Sequence, residues 1–499
     1  MALKEYGDFK KVDHGPRSQF EALLVKPWKE SLAQRQENSE PFYVIPIDAL
    51  DELDFPGGVE FLQTLIDIVK EHDLYGLKFL VTSRLEPALV EELESFEEKQ
   101  VCRLEEITLE KTSADIKTHV QKALGGIATQ EQLDQLVTDT AGLFIYAATV
   151  VEYLQGRSRN QQKKLLARIL SLSHSSPLPG ATARLDDLYS HILETSLVDP
   201  RDRMDNALRA QCLGILHTFL CTIERTSTGV AVGLLNGPNA TEEPTFDAAE
   251  AEDLVRRLHA VLYVQRGQVL WFHKSFPDFI FSQDHSKTFY CDQGYYHRLL
   301  ANNCFEVMQQ ELRFNIADIS TSYQLDRDNP TLSDSIKTNI SALLRYACSD
   351  WSSHLTQAPV ASSEPFLGAV NDFLQLRFLF WIEAMNLLKC RERCVSMLQE
   401  VQQWVSESKV CLSSSVLDYA NILDRSLQTF SMMIWTTQPR LHFISAPTAP
   451  QPPHLTSTSR PLPRFHAVQA LLQDGGSGSV ESLTSPTLTL PLVGVWCCP

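Results

Sequence analysis

No glycine in this sequence is followed by lysine, although it holds 21 glycines among 499 residues. That excludes the Gly-x-x-x-x-Gly-Lys-Ser/Thr loop, whose amides, lysine and hydroxyl together cradle nucleotide phosphates and magnesium. No stretch approaches the roughly 18 uninterrupted apolar residues that a membrane-crossing helix needs. Cationic charge is scarce as well: 44 Lys and Arg stand against 62 Asp and Glu, a net charge of -18. This balance argues against nonspecific binding to nucleic acid or to an anionic membrane. The amino terminus, MALKEYGDFKK, is too polar for a secretion signal. The 11 cysteines are scattered and odd in number, as expected of free thiols in a reducing, cytoplasmic compartment. Cys390 and Cys394 lie four apart on an expected helix, but no second pair completes a metal set, so they read as buried thiols.

What is present is organised around PFYVIPIDALDELD, from Pro41 to Asp54. An apolar run from Phe42 to Ile47 ends in Asp48, with Asp51 and Glu52 close behind. A hydrophobic strand that delivers carboxylates at its C-terminal end is the magnesium-holding half of a phosphate-binding α/β site. In that reading Asp48 holds a metal-bound water, and Asp51 or Glu52 orients the water that attacks the terminal phosphate. The same pattern also describes an ordinary strand followed by an acidic turn. Pro56-Gly57-Gly58 then marks a turn, and Phe61, Leu62, Leu65, Ile66 and Val69 follow at helical spacing. Leu77 to Val81 is a second apolar run, ending in Thr82-Ser83-Arg84. Two such strands joined by one helix are expected to be parallel, which sets the Thr-Ser-Arg end beside Asp48. Arg84 there can read a terminal phosphate or simply cap a surface turn.

Further along, Glu91 to Lys99 reads as an acidic solvated helix and 101–109 as a third strand. Helices are expected at about 113–124 and 130–139, and TAGLFIYAATVV (140–151) opens a long apolar one. The pattern restarts at Leu185, Leu188, Tyr189, Ile192 and Leu193, and another helix is expected over 206–223. Residues 229–246, rich in Gly, Asn and Thr, read mostly as loop. A helix over 247–260 precedes LYVQRGQVLWFH, two short strands about Gly267. Helices followed by a hairpin suit a winged helix, but the acidic DAAEAEDLVRRLH argues for internal packing rather than DNA binding. From Tyr295 to Trp435 the chain reads as antiparallel helices, with FLQLRFLFWIEAMNLL (373–388) as one buried helix. Pro, Ser, Thr and Gly dominate beyond Gln438, as in a disordered tail.

The ordered set IDALDE, FLVTSR, GLFIYAAT, LDDLY and FHKSFPDF resembles the fungal NACHT ATPase family. These are signal-transduction NTPases related to animal NLR immune receptors, many of them carrying WD-repeat propellers. YACSDW (346–351), FWIE (380–383) and MIW (433–435) resemble the helical segment that follows the winged helix in that family, so the likeness covers roughly 18–445. It implies an α/β region followed by an all-α one: a partial P-loop-type parallel sheet (1–110), a small helical bundle (111–175), a winged helix (183–285), a helical array (286–437) and a disordered tail (438–499). It further implies that Asp48 matches the Walker B magnesium residue, Asp51 and Glu52 the acidic pair behind it, and Arg84 the sensor arginine. His273 would match the winged-helix histidine that touches the β-phosphate of ADP. From the residues alone, a histidine at the end of a hairpin strand reads as a satisfied core residue.

The family's phosphate loop is the missing part, and the chain is expected to begin downstream of it, with only its third, fourth and fifth strands retained. Pro46, which lacks an amide donor, should then lie on a sheet edge. ATP or ADP with magnesium is expected to bind weakly at best, because a phosphate cradle supplies several charge-assisted bonds of about 1.5–3 kcal/mol each. The expectation is a degenerate signalling and non-self-recognition protein acting on protein partners, as a monomer or in a homo- or hetero-oligomer, without membrane or nucleic acid. A magnesium–nucleotide switch and a nucleotide-independent helical scaffold are the alternatives.

Overall fold

The computed structural model describes residues 16–33, 43–53, 57–72, 74–84, 86–94, 109–172, 181–197, 206–238, 247–319, 329–359, 363–409, 414–436, 442–443 and 495–496. The chain divides into two compact units, Met1–Thr108 and Leu109–Pro499. The third strand expected over 101–109 lies outside the described residues up to Leu109, which opens a helix. Most of the expected tail lies outside them too; within it, His442–Phe443 pairs antiparallel with Val495–Trp496.

The first unit opens with α1 (Pro16–Phe20), a π-helical turn (Glu21–Val25) and α2 (Lys26–Ala33). Pro27 accounts for the irregularity: its ring cannot donate and crowds the carbonyl four residues back. Accordingly the Lys26 amide reaches back five residues, to the Glu21 carbonyl. Next come β1 (Tyr43–Ile47), a 3-10 turn (Leu50–Glu52), α3 (Gly57–Glu71), β2 (Leu77–Val81) and α4 (Pro87–Glu94). The two strands are parallel, with Tyr43 opposite Leu77 and Ile47 opposite Val81. A helix between parallel strands is the connection that parallel pairing demands. Helix α3 covers one face of this pair: Leu62, Leu65, Ile66 and Ile68 are buried at helical spacing. At the rim, Leu50, Leu62, Ile66 and Leu89 form one cluster, so α4 contributes Leu89 to the core instead of being wholly solvated. At the other end Val25, Ile68 and Leu74 pack together, and Trp28 donates to the Tyr75 carbonyl at 3.2 Å.

The opposite face of the strand pair is open among the described residues, with Val44 57% and Leu80 56% exposed. Continuous apolar strands are usually covered on both faces, so the composition of β1 and β2 overstates their burial. At the ends of the ladder, Tyr43 donates to the Gly76 carbonyl and Ile47 accepts from the Thr82 amide. The alternation of a parallel ladder therefore turns the odd residues of β1 toward β2, and Val44 and Pro46 toward the outer edge. Pro46 occupies the kind of position a residue without an amide hydrogen can hold.

The second unit is helical apart from short strand pairs. It runs through α5 (Leu109–Leu124), α6 (Gln130–Thr140), α7 (Phe144–Leu154), α8 (Arg159–Leu172) and α9 (Ala181–Ser196). Thr129 and Gln132 cap α6 reciprocally, a start signal visible in the sequence. Then follow α10 (Asn206–Cys221), α11 (Thr228–Asn236), α12 (Ala248–Arg257), β3 (Leu262–Gln265) and β4 (Gln268–Trp271). Helix α11 corrects the first part of the stretch expected to be mostly loop, 229–246, of which 239–246 lie outside the described residues. Ser227 caps it, Val230, Ala231, Val232 and Leu234 are buried, and Gly233 packs so closely that a Cβ would lie 2.9 Å from Leu343 Cδ2. The glycine that reads as a breaker is there for close packing.

After α13 (Ser275–Phe281) and α14 (Gln283–Ser286) the chain builds α15 (Gln293–Glu311), α16 (Leu332–Asn339), α17 (Ala342–Gln357), α18 (Ser363–Leu376), α19 (Phe378–Leu387), α20 (Arg393–Ser408) and α21 (Ser414–Thr436). Trp351, Phe373 and Trp381 pack ring against ring, and Trp381 Nε1 donates to the Cys348 carbonyl at 2.9 Å. The single helix expected over 373–388 is broken at Arg377, whose guanidinium turns to the Gln309 carbonyl at the end of α15. Cys394 is buried, as expected, whereas Cys390 is half-buried and bonds the Leu388 carbonyl. No helix of the described residues is long and apolar enough to cross a membrane.

Candidate functional site

The parallel register brings Asp48 and Asp51, which follow β1, to the same rim as Thr82, Ser83 and Arg84, which follow β2. Thr82 Oγ1 donates to Asp48 Oδ1 and accepts the Ala49 amide at 2.9 Å. Ala49 takes a left-handed backbone (φ 52°), which turns the chain sharply after Asp48. Beyond that turn, Asp51 accepts the Arg84 amide at 3.0 Å and the Ser83 hydroxyl at 3.4 Å, and its second oxygen lies 3.6 Å from Arg84 Nε. The Asp51 side chain is 4% exposed and that of Arg84 42%. Glu52 is exposed on the 3-10 turn. Gly58 is accounted for by packing, since a Cβ there would lie 2.9 Å from the Leu50 carbonyl oxygen.

Chemically, this rim is a pair of carboxylates already engaged across strands. Asp48 has one oxygen committed to Thr82, and its other oxygen is the one suited to a metal-bound water. A magnesium ion would take that single carboxylate plus several waters, in line with its preference for hydrated octahedral sites. Asp51 links the two strand ends.

His273, in the second unit, follows β4. Its Nδ1 accepts the Ser275 amide at 3.1 Å and lies 2.7 Å from Ser275 Oγ. An Nδ1 that accepts a backbone N–H carries no proton, so the neutral ring is the tautomer with hydrogen on Nε2. That nitrogen is a donor on an exposed side chain. Ser275 Oγ also meets the Tyr189 hydroxyl at 2.8 Å. Burial pushes the Tyr189 phenol up to about 12, opposed by its bonds to Ser275 and Thr149, so it remains protonated and can donate. The Tyr189 ring packs on Phe276 and Phe279, with centroids 5.3 and 5.5 Å away. Three of the sequence segments singled out above, GLFIYAAT, LDDLY and FHKSFPDF, thus meet through Thr149, Tyr189 and Ser275. Asp186 of the second segment also contacts His285 Nδ1 at 2.6 Å.

With this geometry in place, comparison with known proteins is informative. The chain is similar to the vegetative incompatibility protein HET-E-1 of Podospora anserina. The two are 22% identical over 390 residues, 71% of this chain and 26% of the relative. The chain therefore spans about a quarter of the length of the curated relative it matches. No family model matches the chain. No solved structure matches it either.

Sequence reasoning missed a second polar cluster, where α10 meets α17 and α20. Ile223 donates its amide to the Tyr346 hydroxyl at 2.9 Å, and Tyr346 lies 2.7 Å from His354 Nε2. Arg393 bridges Glu224 at 3.0 Å and the fully buried Asp350 at 3.3 Å. Burial, reinforced by Glu224 and opposed by Arg393, pushes Asp350 up to about 7. The partners are more than 100 residues apart in sequence for Ile223 and Tyr346, so no local pattern announces them.

Proposed function

We propose that this chain is a degenerate NACHT-type module of a fungal non-self-recognition pathway, acting through protein partners and without ATP hydrolysis of its own. The observation that carries this reading is the state of Asp51. The acid that would orient an attacking water is tied instead to the amide and guanidinium of Arg84. The similarity to a vegetative incompatibility protein supports the same reading. Asp48 and Arg84 then persist as a structural rim, with Asp48 as a weak magnesium ligand and Glu52 at its solvent side.

A second reading, a magnesium–nucleotide switch, is favoured by His273, whose Nδ1 accepts the Ser275 amide and so leaves the ring proton on Nε2. Titration of the full chain with fluorescent ADP and ATP in magnesium buffer separates the two. The regulatory reading expects no saturation below about millimolar nucleotide, because losing several charge-assisted bonds of about 1.5–3 kcal/mol each weakens a micromolar site by at least that much. Micromolar binding that Asp48→Ala abolishes would establish the switch instead.

A further inference from the structure

The sulfurs of Cys221 and Cys291 lie 3.7 Å apart in the interior of the second unit. Cys221 is the last residue of α10 and 3% exposed, and Cys291 is fully buried just before α15. The segment carrying Cys291 is seated along α10 by contacts at helical spacing. Arg209 lies over the Phe289 ring at 5.2 Å, His217 Nε2 meets the Phe289 carbonyl at 3.0 Å, and Cys221 meets Cys291. From the other side, the Cys291 amide donates to the Ile280 carbonyl at 3.0 Å. Both thiols are thus held in register by neighbours that do not depend on the sulfurs.

We propose that Cys221 and Cys291 are a redox modification site, joined by peroxide into a disulfide that latches the end of α10 to the segment entering α15. A disulfide bond is about 2.05 Å long, so the sulfurs have under 2 Å left to close. The hydrogen bond to Cys221, and then burial, push the Cys291 thiol up, which makes Cys291 the second sulfur to react. The Cys221 sulfur attacks one oxygen of hydrogen peroxide. The O–O bond breaks, and the departing hydroxide leaves with the thiol proton as water. Cys221 is then a sulfenic acid. Attack by the Cys291 sulfur forms the S–S bond and breaks the S–O bond, and the Cys291 proton leaves with the hydroxide as a second water. Two thiols lose two electrons, and one peroxide becomes two waters. The latch encloses α11, α12, the β3–β4 hairpin and His273, and it is independent of any nucleotide at that histidine.

The test is peptide mapping of the full chain. Reduced protein is exposed to hydrogen peroxide for hours, because buried thiols react slowly, then unfolded in alkylating reagent and digested without reductant. The expected product is a Cys221–Cys291 linked peptide that dithiothreitol releases. The oxidised protein should also melt about 5 °C higher than the reduced protein, and Cys221→Ser and Cys291→Ala should each lose that rise. Recovery of both residues as alkylated thiols while Cys390 is oxidised, or their linkage to other cysteines, would overturn the proposal. A linked peptide without a change in melting temperature would overturn the latch. The map of the unsubstituted chain decides the linkage even if a variant folds poorly.

Discussion

Asp51 takes the Arg84 backbone amide at 3.0 Å and faces the same residue's guanidinium at 3.6 Å, so a single carboxylate fastens the ends of two parallel strands. Asp51→Ala removes the charged acceptor of the Arg84 amide and should destabilise the first unit by about 1–3 kcal/mol. Asp51→Asn keeps one acceptor oxygen and should lose less. Hydrogen exchange at the Thr82 and Arg84 amides, followed in both variants, checks the order.

Tyr189 separates packing from hydrogen bonding. Tyr189→Phe keeps the ring against Phe276 and Phe279 and removes the hydroxyl between Thr149 and Ser275. The expected loss is about 1 kcal/mol. Tyr189→Ala opens a cavity in addition and should lose about 3–5 kcal/mol, by analogy with other large aromatic truncations. Urea denaturation gives both values.

Arg393 is the counter-ion of a fully buried acid. Arg393→Ala leaves Asp350 without its cation and should cost about 2–3 kcal/mol, less than for a wholly buried pair because the arginine side chain is 41% exposed. Adding Asp350→Asn should restore part of the loss. A double-mutant cycle measures the coupling, and strict additivity would refute it.

Acid should destabilise the second unit. Burial lowers His191, His217 and His297 to about 4 and His354 further, so these rings are neutral when folded but titrate near 6.5 when unfolded. Their contribution is present above 6.5 and is lost as pH falls through about 4. Asp350 and Glu383, both raised to about 7 by burial, act in the opposite sense over the same range. Four histidines outweigh two carboxylates, so urea midpoints should fall between pH 6.5 and 4. Asp350→Asn should make the fall steeper, and His297→Asn shallower. Within this set the His297 and His354 Nδ1 atoms meet at 2.9 Å, which permits one proton between them, so a second is resisted.

Pro46 leaves a gap in the donor row along the outer edge of β1. Pro46→Val restores an amide there and should raise self-association without weakening the β1–β2 pairing. Sedimentation velocity of variant and parent at equal concentration reads the difference.

Much of the rim was legible in the sequence. Two apolar runs joined by one amphipathic helix dictate parallel strands, and that alone brings Thr82 and Arg84 to Asp48 and Asp51. What those groups do to one another was not legible, because Asp51 reads equally as a water-orienting acid or as part of an ordinary acidic turn. Helix α11 was hidden by Gly229 and Gly233; their low helix propensity yields to tertiary packing, Gly233 lying against Leu343 and Val230, Ala231, Val232 and Leu234 being buried. The break at Arg377 has no glycine or proline to announce it, and it follows from a tertiary bond to Gln309. Tyr189 and Ser275 are 86 residues apart, and only the folded chain reveals that one fixes the other.

Two neighbouring residues, Ile223 and Glu224, are gripped from different directions, the first by a phenol on α17 and the second by a guanidinium on α20. A chain held at consecutive links has no slack. A shift of α17 or α20 is therefore expected to be felt at the tail of α10, within a turn of the cysteine that closes it.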